Sequence, residues 1–248
     1  MSKTWTTIVL LLGVAVIGSN ALVLSPILPD VARDLGTTPQ VAARAIAAYG
    51  GATTLSALLL GFTIDRYGAR TVLVGGSVLL ACGTFGSAVA PSWSVLALAQ
   101  AFAGLAAGAM LPAIYAAATQ VGTKAEGARI LGRVLTGWSV SLVAGVPLSA
   151  LVAERFGWEA SFVVLGGLVL LGLVGFLRMP VQASGPRGPS GTPRLSPIRA
   201  FGIQGVAPLL VVQFLFMTAF YGTYAFFGDH LRSSLDLSAG FAGLVVLF

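Results

Sequence analysis

Asp65, Arg66 and Arg70 lie close together in the stretch GFTIDRYGART (61–71), framed by Gly61 and Gly68. Two arginines suit any hairpin beside an anionic lipid surface. A carboxylate gains nothing from such a surface and needs a cation or a helix N-terminus as partner. Asp65 is therefore the informative residue: it makes an ionic contact with another part of the protein, or it pairs with its own hairpin arginines. Gly61 would let a helix end approach a neighbour closely, and Gly68 can supply the positive φ of a tight turn. Other reactive side chains are sparse. Cys82 is the single cysteine and His230 the single histidine, so no disulfide framework and no metal-ligand set is spelled out. No nucleophile–base pair stands out either, which sets an enzyme aside, and no cofactor is called for.

The segments that must position this hairpin are strongly apolar. The chain is 56% hydrophobic and 9% charged with mean hydropathy +0.93, whereas soluble domains carry about 25% charged residues. That excludes a water-soluble protein. The net charge of +6 comes from basic residues in short loops between apolar runs, which fits an anionic lipid face rather than nucleic acid. Uncharged runs cover 7–28, 45–64, 71–123, 134–153, 160–177 and 200–228, and a last one begins at 237. A helix crosses the bilayer in about 20 residues, so 71–123 must fold back, and Ala90-Pro91-Ser92-Trp93 offers the turn. The first run, Trp5 to Pro29, exceeds the roughly 7–15 apolar residues of a cleavable signal and reads as a retained helix.

Seven spans and the start of an eighth result. The fold class is an all-α membrane bundle. With the N-terminus in the cytoplasm, ten of the 14 basic residues fall on the inner side, the orientation favoured by the positive-inside rule. Residues 1–179 form a six-helix bundle. Residues 180–205 (PVQASGPRGPSGTPRLSPIR and the six after it) read as a cytoplasmic linker, and 206–248 begin a second bundle. The last apolar run stops at Phe248, about half a bilayer deep, which reads as a truncation in the eighth helix.

The hairpin Gly61-Phe-Thr-Ile-Asp65-Arg66-Tyr-Gly68-Ala-Arg70 resembles the G-x-x-x-D-R-x-G-x-R/K loop between helices two and three of the major facilitator superfamily. Ala69 departs from it, since a basic residue is common there. Span five adds Gly137-Trp138-Ser139, Gly145-Val146-Pro147-Leu148 and Phe156-Gly157-Trp158, similar to the helix-five motif of that family's antiporters. Its glycines allow close packing and its proline bends the helix. This form resembles the arabinose-efflux-permease-like branch of twelve-helix drug:proton antiporters. Gln100 stands where the family motif of span four has an arginine linked to proton coupling.

The resemblance implies alternating access, with Asp65 in a charge network that shuts the inner mouth. It implies a small-molecule substrate in a midplane cavity, the lipid bilayer of a bacterial inner membrane as surroundings, and protons as the coupling ion. Asn20, Gln100 and Tyr115, with Tyr221 and Tyr224 from span seven, are the candidate cavity residues. The resemblance implies efflux, and the neutral character of the spans points to a neutral or amphipathic solute such as a drug or sugar. Facilitated diffusion by the same fold and a transport-incompetent fragment are the alternatives.

Overall fold

In the computed structural model, residues 2–179 and 203–235 are described. They form six membrane-spanning helices and a seventh long helix; the linker reading of 180–205 falls almost wholly outside them, and the eighth span wholly. Span one comprises α1 (Lys3–Leu22) and α2 (Leu24–Asp34), jointed at Val23. It runs past the expected limit at residue 28, because Asp30 and Arg33 pair one turn apart (3.5 Å) and carry the helix on. Span two comprises α3 (Pro39–Ala42) and α4 (Arg44–Leu60), started by the Thr38 cap and Pro39 at the first helical position. After Gly61 comes a short helix, α5 (Phe62–Tyr67), then span three, α6 (Ala69–Ala88).

The expected turn at Ala90-Pro91-Ser92-Trp93 is where α6 gives way to span four, α7 (Trp93–Thr119). Ser92 caps α7 by accepting from the Val95 N–H (3.4 Å), and the Arg44 guanidinium stacks over Trp93, 5.5 Å from the ring centroid. Span five is α8 (Lys124–Val140), a π-helical segment at Ser141–Gly145, and α9 (Val146–Phe156). Span six is α10 (Trp158–Leu177), and α11 (Val206–Leu235) is the last described helix. α11 leans on α2 and sets Phe220 against the core.

Span one is the axis of the bundle. Every residue from Gly13 to Leu28 is buried, whereas span two is buried only at Ala42, Ala45, Tyr49 and Ser56. Leu58, Leu59, Val143 and Leu171 point outward, as expected of a surface that meets lipid. Small residues bring the spans together. A Cβ on Gly104 would fall 2.2 Å from the Tyr49 carbonyl oxygen, and one on Gly108 would fall 2.2 Å from that of Thr53. Span four thus touches the backbone of span two directly. Gly83 of α6 does the same against Ala99 and Ala103 of α7.

At the end where the chain starts, Thr123 and Glu126 form a capping box on α8, and the Lys3 ammonium lies 2.8 Å from Glu126. Span five is 33 residues long, about 50 Å at 1.5 Å per residue, so its first turns project beyond a core of about 30 Å. In that projecting turn the Lys3 hydrogen bond, then the Thr123 backbone N–H, hold the Glu126 carboxyl well below the usual carboxylate range.

Replacing Gly108 with leucine is expected to push spans two and four apart and lower the unfolding free energy in detergent by about 1–3 kcal/mol. Gly167→Ala, at a position where an added Cβ meets nothing within 4 Å among the described residues, should leave it unchanged or raise it by up to about 1 kcal/mol. Thermal unfolding of the purified protein measures both.

Candidate functional site

The first candidate group is the hairpin at 61–71. Gly68 takes φ +81°, as a tight turn requires, and its N–H donates to the Ile64 carbonyl at 2.9 Å. Asp65 sits on the exposed last turn of α5, on a helix rather than in a loop. Its carboxylate makes no ion pair and no hydrogen bond with any described residue. Both nearby arginines are engaged elsewhere. The Arg66 guanidinium stacks over the Tyr67 ring at 5.3 Å. Arg70 crosses to the end of span six, where its Nε donates to the Phe176 carbonyl (3.3 Å) and its Nη2 to that of Leu177. A cation belongs there, because the last carbonyls of a helix lack partners and carry the negative end of its dipole. Pairing within the hairpin is therefore not what the structure shows. Gly61 differs from expectation too: an added Cβ would meet only Ala57 O of its own helix, at 3.5 Å, so no described neighbour requires a glycine there.

The second group lies on span five. A Cβ on Gly137 would fall 2.7 Å from the Leu11 carbonyl oxygen, and one on Gly145 would fall 1.9 Å from Ser19 Oγ. From the other side, one on Gly18 would lie 2.5 Å from Ser141 Oγ. Spans one and five interlock through these residues. The irregularity expected at Pro147 takes the form of the π segment Ser141–Gly145 just before it. Proline has no N–H to offer the carbonyl four residues back, and the helix widens where that bond is missing.

The third group is a buried polar seam. Asn20 Nδ2 donates to Thr84 Oγ1 (3.1 Å), and Gln100 Nε2 donates to Ser87 Oγ (2.9 Å). The amides of spans one and four thus both reach span three, at hydroxyls three residues apart. All four side chains are buried, and Asn20 Oδ1 has no partner among the described residues. Tyr115 is not part of this seam. It lies 15 residues farther along α7, about 22 Å away, half-buried, and its Oη accepts from Trp138 Nε1 (3.1 Å). Tyr221 and Tyr224 belong to α11, but their side chains lie outside the described residues.

Sequence reasoning missed Thr84, Ser87 and the Trp138 indole as partners. Two small hydroxyls at i and i+3 inside an apolar run were the available signal. It gave Asp34 no role, whereas Asp34 Oδ2 accepts from Trp158 Nε1 at 3.0 Å and ties span one to the start of span six.

The sequence profile of the Major Facilitator Superfamily matches residues 10–248. The chain belongs to that family. Among relatives of this superfamily member is the uncharacterised MFS-type transporter YwfA of Bacillus subtilis. The two are 30% identical over 246 residues, covering 96% of this chain and 59% of YwfA. The chloramphenicol resistance protein of Streptomyces lividans is 30% identical over 188 residues, 75% of this chain and 48% of that protein. The fold matches a crystal structure of a bacterial homologue of the human lysosomal transporter Spinster, captured inward-facing and unoccupied. That match has TM-score 0.74 at 16% identity and covers 98% of this chain and 58% of the other. The superfamily segment described here thus spans about three-fifths of the length of YwfA.

Thr84→Val is expected to leave Asn20 Nδ2 without its acceptor and to lower the unfolding free energy in detergent by about 1 kcal/mol. Combining it with Asn20→Leu, which removes both partners, should recover most of that loss. Denaturation of the single and double variants provides the comparison.

Proposed function

We propose that this chain is the N-terminal part of a transporter that exports a small neutral or amphipathic solute, such as a drug or sugar, by alternating access in exchange for protons. Residues 1–179 are one half of that machine, 180–205 the cytoplasmic linker and 206–248 the start of the second half. The N-terminus lies in the cytoplasm of a bacterial cell, and the bundle sits in the inner membrane.

The observation that carries the reading is the neutrality of the interior. Every buried polar side chain among the described residues is Ser, Thr, Asn or Gln. No fixed counter-ion for a charged solute is present in these spans, and intramembrane charge is costly. Asn20, Gln100 and Tyr115 are the cavity residues of this reading, together with Tyr221 and Tyr224 of span seven. The unpartnered Asn20 Oδ1 supports it, being an acceptor for which a solute hydroxyl or amide is a natural donor. The likeness to a chloramphenicol resistance protein supports export.

In the same reading Gly61, Asp65, Arg66, Gly68 and Arg70 form the inner gate. Asp65 supports this, since its own arginines are turned to other partners. Gly137, Gly145 and Pro147 give span five its irregular shape, around which the half-bundles rock. A second reading, facilitated diffusion without coupling, is favoured by the lack of any buried Asp, Glu, His, Lys or Arg among the described residues.

In a full-length transporter carrying this segment, Asn20→Ala and Gln100→Ala should each weaken apparent solute affinity about fivefold, the loss of one net hydrogen bond of about 1 kcal/mol. Unchanged efflux across a panel of neutral and amphipathic solutes would remove both from the cavity. Collapsing the proton gradient with an ionophore should stop export; transport that persists down the solute gradient selects facilitated diffusion.

A further inference from the structure

The hairpin between spans five and six repeats the one between spans two and three. GFTIDRYG (61–68) aligns with ALVAERFG (150–157): a small residue, three intervening positions, then an acid, an arginine, an aromatic and a glycine. The backbone follows the sequence. Gly68 has φ 81° and ψ 152°, and Gly157 has φ 88° and ψ 156°. Each glycine N–H donates to the carbonyl four residues back, at 2.9 Å to Ile64 and 3.0 Å to Ala153. Each glycine then opens a helix of 20 residues. Exposure agrees position by position. In both hairpins the acid, the arginine and the aromatic are exposed, the glycine is half-buried, and the next residue, Ala69 or Trp158, is buried.

Turn geometry accounts for the glycines, because only glycine adopts this φ without strain. It does not account for an exposed acid and arginine in the last helical turn. The other described hairpins do without them: Gly36 and Gly122 also have positive φ, yet neither follows an acid–arginine–aromatic triplet. The two copies lie at opposite ends of the bundle, since spans three, four and five, an odd number of crossings, separate them. Beyond the glycine they diverge. Arg70 reaches the last carbonyls of span six, whereas Glu159 stays in the first turn of its own helix, where an acid is favoured by the dipole. The acid–arginine pair is what the two ends share.

We propose that Glu154 and Arg155 form an outer latch, the counterpart of Asp65 and Arg66 at the inner mouth. Their charges hold the outer mouth shut against the second half while the inner mouth is open. This rests on the alternating-access reading above, and it assigns each hairpin the opposite effect on the same equilibrium. Losing the inner latch favours the inward-open form; losing the outer latch favours the outward-open form.

The test uses a full-length transporter carrying this segment, reconstituted in liposomes, with spin-label distances read across each mouth. Glu154→Gln should raise the ratio of outward-open to inward-open molecules about threefold, the size expected of one exposed ion pair. Asp65→Asn should lower it by a similar factor, and the double variant should return close to the parent. Glu154→Asp, which keeps the charge, should retain the parental distribution, a rescue that a purely structural turn residue would not show. An inert Glu154→Gln beside an active Asp65→Asn overturns the outer latch and leaves the inner one standing. A shift in the same direction as Asp65→Asn also overturns it. If neither variant moves the distribution, the outer latch falls together with the gating reading on which it rests.

Discussion

Direct contact between helix backbones is the constraint on which this bundle depends. Within lipid no hydrophobic force draws apolar helices together, so association relies on close packing and a few hydrogen bonds. Gly104 and Gly108 lie against the Tyr49 and Thr53 carbonyls, and Gly137, Gly145 and Gly18 interlock spans one and five. These approaches keep span one enclosed along most of its length. They also set how far a side chain must reach to bridge two spans. Asn20 and Gln100 meet hydroxyls on span three, beside the close approach of Gly83 to Ala99 and Ala103.

The direction of the polar seam follows from the hydroxyls on span three. Thr84 donates its proton to the Leu80 carbonyl and Ser87 donates to that of Gly83, each one turn back on the same helix. With their protons committed, both oxygens can only accept across the interface. Each amide must therefore present its NH₂ group, and an amide that donates from nitrogen turns its oxygen the other way. The orphaned Oδ1 of Asn20 is the outcome of that geometry. A buried acceptor in this position carries a standing cost until a donor meets it.

Much of the fold was legible in the sequence, because the length of an uncharged run sets the number of crossings and proline marks where a run must break. The reversal at Pro91, the six crossings and the positive φ of Gly68 were all readable on those grounds. Helix ends were less so: span one carries on to Asp34 through an i,i+3 ion pair, which a count of uncharged residues cannot register. The site was legible as residue types and not as partners. Asn20 and Gln100 stood out as polar groups in apolar runs, but that both reach α6 depends on helix rotation, which no periodicity fixes when a helix is apolar all round. Arg70 looked like an ordinary hairpin cation, and its reach to span six is a contact across more than a hundred positions of sequence.

The π segment at Ser141–Gly145 carries a consequence for how span five is built. A widened turn accommodates one residue more than an α-helix of the same rise. Removing a single residue from this stretch would let the helix close to regular winding. The glycine face that meets span one below it and the hairpin of Glu154 above it would both keep their rotational register. A deletion of the same size in the uniformly wound α10 would instead turn everything beyond it by about 100°. Span five thus contains the one stretch of these crossings where length is interchangeable with winding.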